Sequence, residues 1–188
     1  MPQTNKGYRR RNSLRHPHYD YTRPGAYFVT ICQHRRQCVF GTVVDHAMIR
    51  NPLGQLAADC LTTFETRHPS VTIDTAIIMP NHAHILLWIN REPGQIPTNV
   101  NPKERKFADA IVGSLPSLMG AYKGSVTQLA RNRNLWPQSP LWQDDFYDYI
   151  VRDENELACI RDYIVNNPAR WYEDQLHPHT PNNPFHRS

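Results

Sequence analysis

With 188 residues the chain suits one compact domain and leaves no room for a second of full size. Hydrophobic content of 39% is low for such a domain and 16 prolines are many, so a fair share of the residues is expected in loops and tails. A net charge of +4 and a pI near 9.0 permit an anionic partner, while no leading hydrophobic segment and no run of about 18 apolar residues is found, which argues against secretion or a membrane span and for a cytoplasmic protein with reduced thiols.

The charge is unevenly placed. Between Met1 and Val44 a single acid, Asp20, faces Lys6, Arg9, Arg10, Arg11, Arg15, Arg23, Arg35 and Arg36, and from Ala110 to Gln143 there is no acid at all. Such segregation gathers polyanions, nucleic acid foremost. Residues 1–24 read as a basic arm in which Tyr and His lie among arginines, a mixture suited to phosphates and stacked bases. From Ala26, AYFVTICQ is aromatic and β-branched and reads as a central strand, followed by a polar HRRQ turn and CVFG. Asn51-Pro52 opens a first helix whose stripe is Leu53, Leu56, Ala57, Cys60, Leu61 and Phe64, closed by His68-Pro69. Val71 to Met79 reads as a second strand, Pro80-Asn81 as a tight turn and His82 to Ile89 as the hairpin partner. Residues 90–106, rich in Pro and Gly, read as a loop. A second helix starts near Ser114 and carries Leu118, Met119, Tyr122, Val126 and Leu129, with Lys123 on another face; Gly120 and Gly124 weaken it unless something packs closely there. PLWQDDFYDYIVR reads as a strand, Asp153 with Glu156 as a capping box, and Leu157, Ile160 and Ile164 as the stripe of a third helix that ends before Pro168. Beyond Tyr172 the polar tail is expected to be disordered or to wrap the surface. The order of elements suits an antiparallel sheet with helices packed on it, an α+β domain.

Two stretches carry chemistry. In PNHAH, His82 and His84 stand two apart on a strand and so share a face, which Leu86 and Trp88 continue; two neutral imidazoles placed in this way can hold one divalent cation, or can simply end a hairpin. In the third helix Tyr163 lies beside the apolar stripe and Asn167 follows four residues on, so both lie on one side of the helix end. If that helix crosses the face displaying the histidines, a metal-polarised phosphodiester and a tyrosine nucleophile come together. No glycine-rich phosphate loop is present.

With AYFVTICQHRR, CVFG, IIMPNHAHILLWI, LMGAYKGSVT and PLWQDDFYDYIVRDENEL leading into DYIVNNPARW, spanning Ala26 to Trp171 in order, the chain resembles the one-tyrosine HUH transposases of the insertion-sequence-200 type, and their REP-associated branch in particular. The resemblance implies a ferredoxin- or RRM-like HUH fold over residues 25–172, with residues 1–24 as arm and 173–188 as flexible tail. It implies His82 and His84 as metal ligands, Asn167 as a polar third ligand, Mg²⁺ or Mn²⁺ as the ion and Tyr163 as nucleophile. The implied reaction is nicking and joining of single-stranded DNA folded as short palindromic hairpins, through a 5′-phosphotyrosine, by a monomer or homodimer associated with the nucleoid. Arg9, Arg10, Arg11, Arg15 and Lys123 would then contact the nucleic acid. One departure stands out: YDYI places Tyr149 where relatives carry a histidine, which makes Tyr147 and Tyr149 rival nucleophiles.

Other functions fit less of the chain. A domesticated binder of hairpin nucleic acid that cleaves little has no need of all four site residues. A histidine-triad hydrolase wants a third histidine where Leu86 stands, a two-histidine phosphoesterase wants a second H-x-[ST] motif, and a nucleoid protein leaves the histidines idle.

Overall fold

The computed structural model describes residues 19–91, 111–138 and 140–179. The chain runs β1 (Gly25–Cys32), β2 (Gly41–Val44), β3 (Ala47–Arg50), α1 (Pro52–Thr62), a single turn α2 (Phe64–Arg67), β4 (Val71–Ile78), β5 (His82–Ile89), α3 (Leu115–Asn132), β6 (Tyr147–Ile150) and α4 (Glu154–Asn166), and ends on a 3-10 helix, Pro168–Glu173. Arg9, Arg10, Arg11 and Arg15 lie outside the described residues, as do residues 92–110 and 180–188.

Four strands form an antiparallel sheet in the order β4-β5-β1-β6. β1 is central, as its run of apolar and β-branched residues predicts, because it is buried on both faces. Tyr27, Val29 and Ile31 join Ile85, Leu87 and Ile89 on the face that packs against Leu53, Leu56 and Ala57 of α1 and Leu118, Met119, Tyr122 and Val126 of α3. The alternate residues point the other way: Ala26 and Leu86 meet Leu157 and Ile164 of α4, with Phe28, Trp88 and Ile160 at the margin. The result is an antiparallel α+β domain in three layers, with α4 on the sheet face that carries the histidines.

The helices begin where side chains can take up their free backbone N–H groups. Asn51 accepts from Gly54 with Pro52 at the first position, Ser114 accepts from Ser117, and Asp153 accepts from Glu156. The capping box at α4 closes differently from its usual form. Glu156 takes the N–H of Arg152 at 2.9 Å rather than that of Asp153, and its other oxygen accepts the Tyr149 hydroxyl at 2.7 Å.

Three local features depart from the sequence reading, and at the tail one of its two alternatives is seen. The hairpin β2–β3 was not expected: its turn residues Asp45 and His46 both have positive φ, 47° and 62°, without the glycine that announces such a turn, and its Val44 and Ile49 are exposed. Helix α1 stops at Thr63, whose hydroxyl bonds the carbonyls of Asp59 and Cys60, before α2 adds one turn. The long strand over PLWQDDFYDYIVR shrinks to Tyr147–Ile150, with Trp142 making only an isolated bridge to Gln33, because the Gln143–Asp145 carbonyls turn inward onto Lys123. After the 3-10 helix, Leu176 and His177 are buried, so the start of the tail wraps the domain.

Candidate metal and nucleophile site

The tight turn at Pro80-Asn81 is closed by the Met79 N–H on the His82 carbonyl, 2.8 Å, and this sets the register that starts β5 at His82. His82 then stands opposite Cys32 and His84 opposite Thr30. Both imidazoles are fully buried, and their Nε2 atoms face each other at 3.0 Å. Burial pushes His82 down to about 3, with the Arg36 charge adding, and pushes His84 well below the usual range, with His82 adding and the Asp174 charge opposing. Both rings are therefore neutral at neutral pH, the form that ligates metal.

The outer nitrogens are held by partners that fix the rings. Asn81 gives its amide N–H groups to the carbonyls of Arg36 at 3.0 Å and Leu176 at 2.8 Å, so its Oδ1 is the atom turned to His82 Nδ1, 2.8 Å away. His82 Nδ1 must then donate, and Nε2 keeps its lone pair. His84 Nδ1 meets the Thr30 hydroxyl at 2.9 Å; a hydroxyl both gives and takes, so it serves either tautomer of His84.

Helix α4 brings Tyr163 to this pair. Its hydroxyl lies 3.3 Å from His84 Nε2, and its ring meets Phe28 edge-on at 6.0 Å. Tyr163 is still 38% exposed, so its ring bridges the buried histidines and the surface. Burial raises the phenol to about 12, with the Asp174 charge adding to the rise and the Asn167 amide working against it.

Asp174 is the residue that the sequence reading missed. His82, His84 and Asp174 each offer a ligand atom within 4.8 Å of the others, a group able to hold a metal ion. Its carboxylate is positioned by two donors, the Leu176 N–H at 2.6 Å and the Asn167 amide at 3.2 Å. Asn167 itself is buried, and its Oδ1 has no hydrogen-bond partner. Two neutral imidazoles and a carboxylate, with an orphaned carbonyl oxygen on the residue that holds that carboxylate, are a donor set that fits a divalent cation. No sequence periodicity announces Asp174, because it follows a 3-10 turn; the only signal was its nearness to NNP. Arg170 joins Tyr163, Asn167, Glu173 and Asp174 around an open cleft of about 320 Å³.

The other predicted residues lie apart from this cluster. Lys123 is on α3, which packs on the opposite sheet face, and its ammonium donates to the carbonyls of Gln143, Asp144 and Asp145 at 2.9, 3.0 and 3.1 Å. With three donors used in this way it organises the turn before β6. Tyr149 stands opposite Phe28 with its hydroxyl on Glu156. A larger hollow of about 610 Å³ runs along α3 past Gly120 and Gly124, where an added Cβ would meet nothing within 4 Å.

Comparison with known proteins bears on the whole chain and its fold. No protein-family model matches the chain. An uncharacterised protein of Haemophilus influenzae is 35% identical over 179 residues, covering 92% of this chain and 96% of its own. A second Haemophilus influenzae protein, provisionally named a REP-associated tyrosine transposase, is 25% identical over 168 residues, 89% of this chain and 84% of its own. The solved structure of a REP-associated tyrosine transposase bound to a REP hairpin shares the fold, with a TM-score of 0.52 at 18% identity over 87% of this chain and 78% of that one. Among the described residues no helix is long and apolar enough to cross a membrane. The resemblance read from the sequence is borne out: over most of its length the chain is similar to a protein provisionally named a REP-associated tyrosine transposase, and it shares the fold of a solved one.

Proposed function

We propose that the protein is a metal-dependent endonuclease and strand transferase acting in the cytoplasm on single-stranded, hairpin-forming DNA, with Tyr163 as nucleophile. The observation that carries the reading is the Tyr163 hydroxyl 3.3 Å from His84 Nε2, at the edge of a group able to bind a cation. His82 and His84 would hold Mg²⁺ or Mn²⁺ together with the Asp174 carboxylate, the Asn167 Oδ1 completing or supporting the set. Bound there, the ion supplies positive charge to the non-bridging oxygens of a phosphodiester. Tyr163 Oη attacks phosphorus, the bond from phosphorus to the 3′ oxygen breaks, and the phenolic proton ends on the released 3′ hydroxyl. One diester replaces another, so the step is close to isoenergetic and its reversal joins strands without a nucleotide cofactor. Arg170, on the cleft rim, is placed to meet a flanking phosphate, and the arginines of the basic arm would add sequence-independent attraction. Tyr163 and the histidines meet within a single chain, so no second copy is needed to assemble them.

The test is cleavage of end-labelled single-stranded hairpins with Mn²⁺ or Mg²⁺, parent against Tyr163→Phe, resolved on a denaturing protein gel. A metal-dependent covalent band that the variant lacks is the expected result. Hairpin binding with no adduct across varied sequences would instead favour a domesticated regulator, and a band that survives in the variant would move the nucleophile to another tyrosine.

A further inference from the structure

Helix α4 has a thin hydrophobic anchor. Leu157 and Ile164 are its only fully buried residues, with Ile160 half-buried between them, while Val165 is exposed. One stripe seats a helix on a sheet but leaves its rotation about its own axis loosely determined. The rotation matters here: a turn of about 20° carries a side-chain tip at the outer helix radius, about 5–6 Å, through roughly 2 Å. A shift of that size takes the Tyr163 hydroxyl out of reach of His84.

A polar contact on the β4 side supplies what the stripe lacks. Strand β4 shifts register between Ile73 and Thr75, so Asp74 is the extra residue of a bulge, without a cross-strand partner. The bulge lets Ile73, Ala76 and Ile78 all face α1 and α3 although their spacing is not strictly even. It also leaves Asp74 to reach α4. Both carboxylate oxygens are used: Oδ1 accepts Arg161 Nε at 2.8 Å, and Oδ2 accepts Arg161 Nη2 at 2.6 Å and the Trp88 indole N–H at 3.1 Å. The Asp74 side chain is 12% exposed and that of Arg161 45%, so the acid is the fixed half of the pair. Two parallel bonds to a planar guanidinium define an orientation as well as a distance. Arg161 precedes Tyr163 by two residues, so a rigid link at one sets the azimuth of the other.

We propose that the Asp74–Arg161 clamp is a positioning device that fixes the rotation of α4 and so the approach of Tyr163 to the metal site. The inference rests on Tyr163 as nucleophile, and Asp74 and Arg161 are positioning residues rather than groups that touch the substrate. Loss of the clamp should leave the chain folded and DNA-binding while it misplaces the attacking oxygen. A misplacement of about 1 Å is enough for a loss of order 100-fold in rate.

The experiment compares Asp74→Asn, Arg161→Ala and Arg161→Lys with the parent and with Asn166→Ala, which removes only the local bond to Asp162 on the same helix. Thermal unfolding reports folding, filter binding reports hairpin affinity, and single-turnover adduct formation reports the rate. Arg161→Ala and Asp74→Asn are expected to bind hairpins within about two-fold of the parent yet form adduct 10- to 100-fold more slowly, Arg161→Lys to recover part of the rate, and Asn166→Ala to match the parent. A fluorotyrosine at position 163 gives a readout free of catalysis: its ¹⁹F resonance should move in both clamp variants and stay in place in Asn166→Ala. An unmoved resonance, or rate and affinity falling together, would overturn the clamp. If the parent itself forms no adduct, the nucleophile reading fails, and the resonance still decides whether the clamp places Tyr163.

Discussion

The two histidines are legible as a pair because a strand gives residues 82 and 84 one face, but what makes them a site is their surroundings. Asn81, which the sequence shows only as a turn residue, is locked by two carbonyls so that it can only accept from His82. The family resemblance implies Asn167 as a third ligand, whereas its amide N–H group holds Asp174 and only Oδ1 remains for an ion. The geometry thus separates two possible third ligands, and substitution separates them experimentally. If the carboxylate binds the ion and Asn167 supports it, Asp174→Asn should weaken Mn²⁺ binding, followed by calorimetry or by loss of the free-ion EPR signal, by more than Asn167→Ala, which should cost about 10- to 100-fold as outer partners do. The reverse order would make Asn167 the ligand. Asp174 was not legible, because a residue beyond Pro168 belongs to no periodic pattern and reaches the histidines only through the 3-10 turn.

At the scale of elements, the segments with strong local signals are those the sequence places well. β5 begins at His82 and ends at Ile89, and α3 and α4 begin after Ser114 and Asp153, since capping and alternation are local physics. The hairpin β2–β3 and the shortened β6 were hidden because their causes lie elsewhere, in positive φ at non-glycine residues and in a lysine from α3 that draws three carbonyls inward. The bulge at Asp74 was hidden for the same reason, and it has a consequence for stability. Arg161 and the Trp88 indole hold the Asp74 carboxyl below its usual range, the Arg161 bond being the larger cause. A carboxylate with a depressed folded-state pKa contributes stability above its unfolded value, about 3.9, and that contribution is lost as pH falls through the folded-state value. Urea unfolding from pH 6 down to pH 2.5 should therefore show the parent losing stability below about pH 4 more steeply than Asp74→Asn, which is already without the pairing at pH 6. Parallel curves would mean that the ion pair is solvent-screened and adds nothing measurable.

The whole molecule divides its labour between the faces of one sheet. The α1–α3 face holds most of the apolar core, while the α4 face holds few apolar side chains and all of the candidate chemistry, so the reactive groups rest on a sheet whose stability is secured from behind. Substrate recruitment is then left to charge distributed outside the core. A net +4 is modest, yet its concentration in residues 1–24 makes that arm the natural collector of phosphates. Replacing Arg9, Arg10, Arg11 and Arg15 together by alanine should weaken binding of hairpins of every sequence alike, and should lower the slope of log affinity against log salt by about 3, since each single-strand phosphate contact carries roughly 0.7. The single-turnover rate of bound substrate should stay unchanged if the arm serves recruitment alone and the chemistry belongs to His82, His84, Tyr163 and Asp174. An unchanged salt slope would place recruitment on the folded domain, where Arg170 on the cleft rim becomes the first cation to replace. A fall in the bound rate would mean that the arm reaches into the site and helps to seat the phosphate that Tyr163 is proposed to attack.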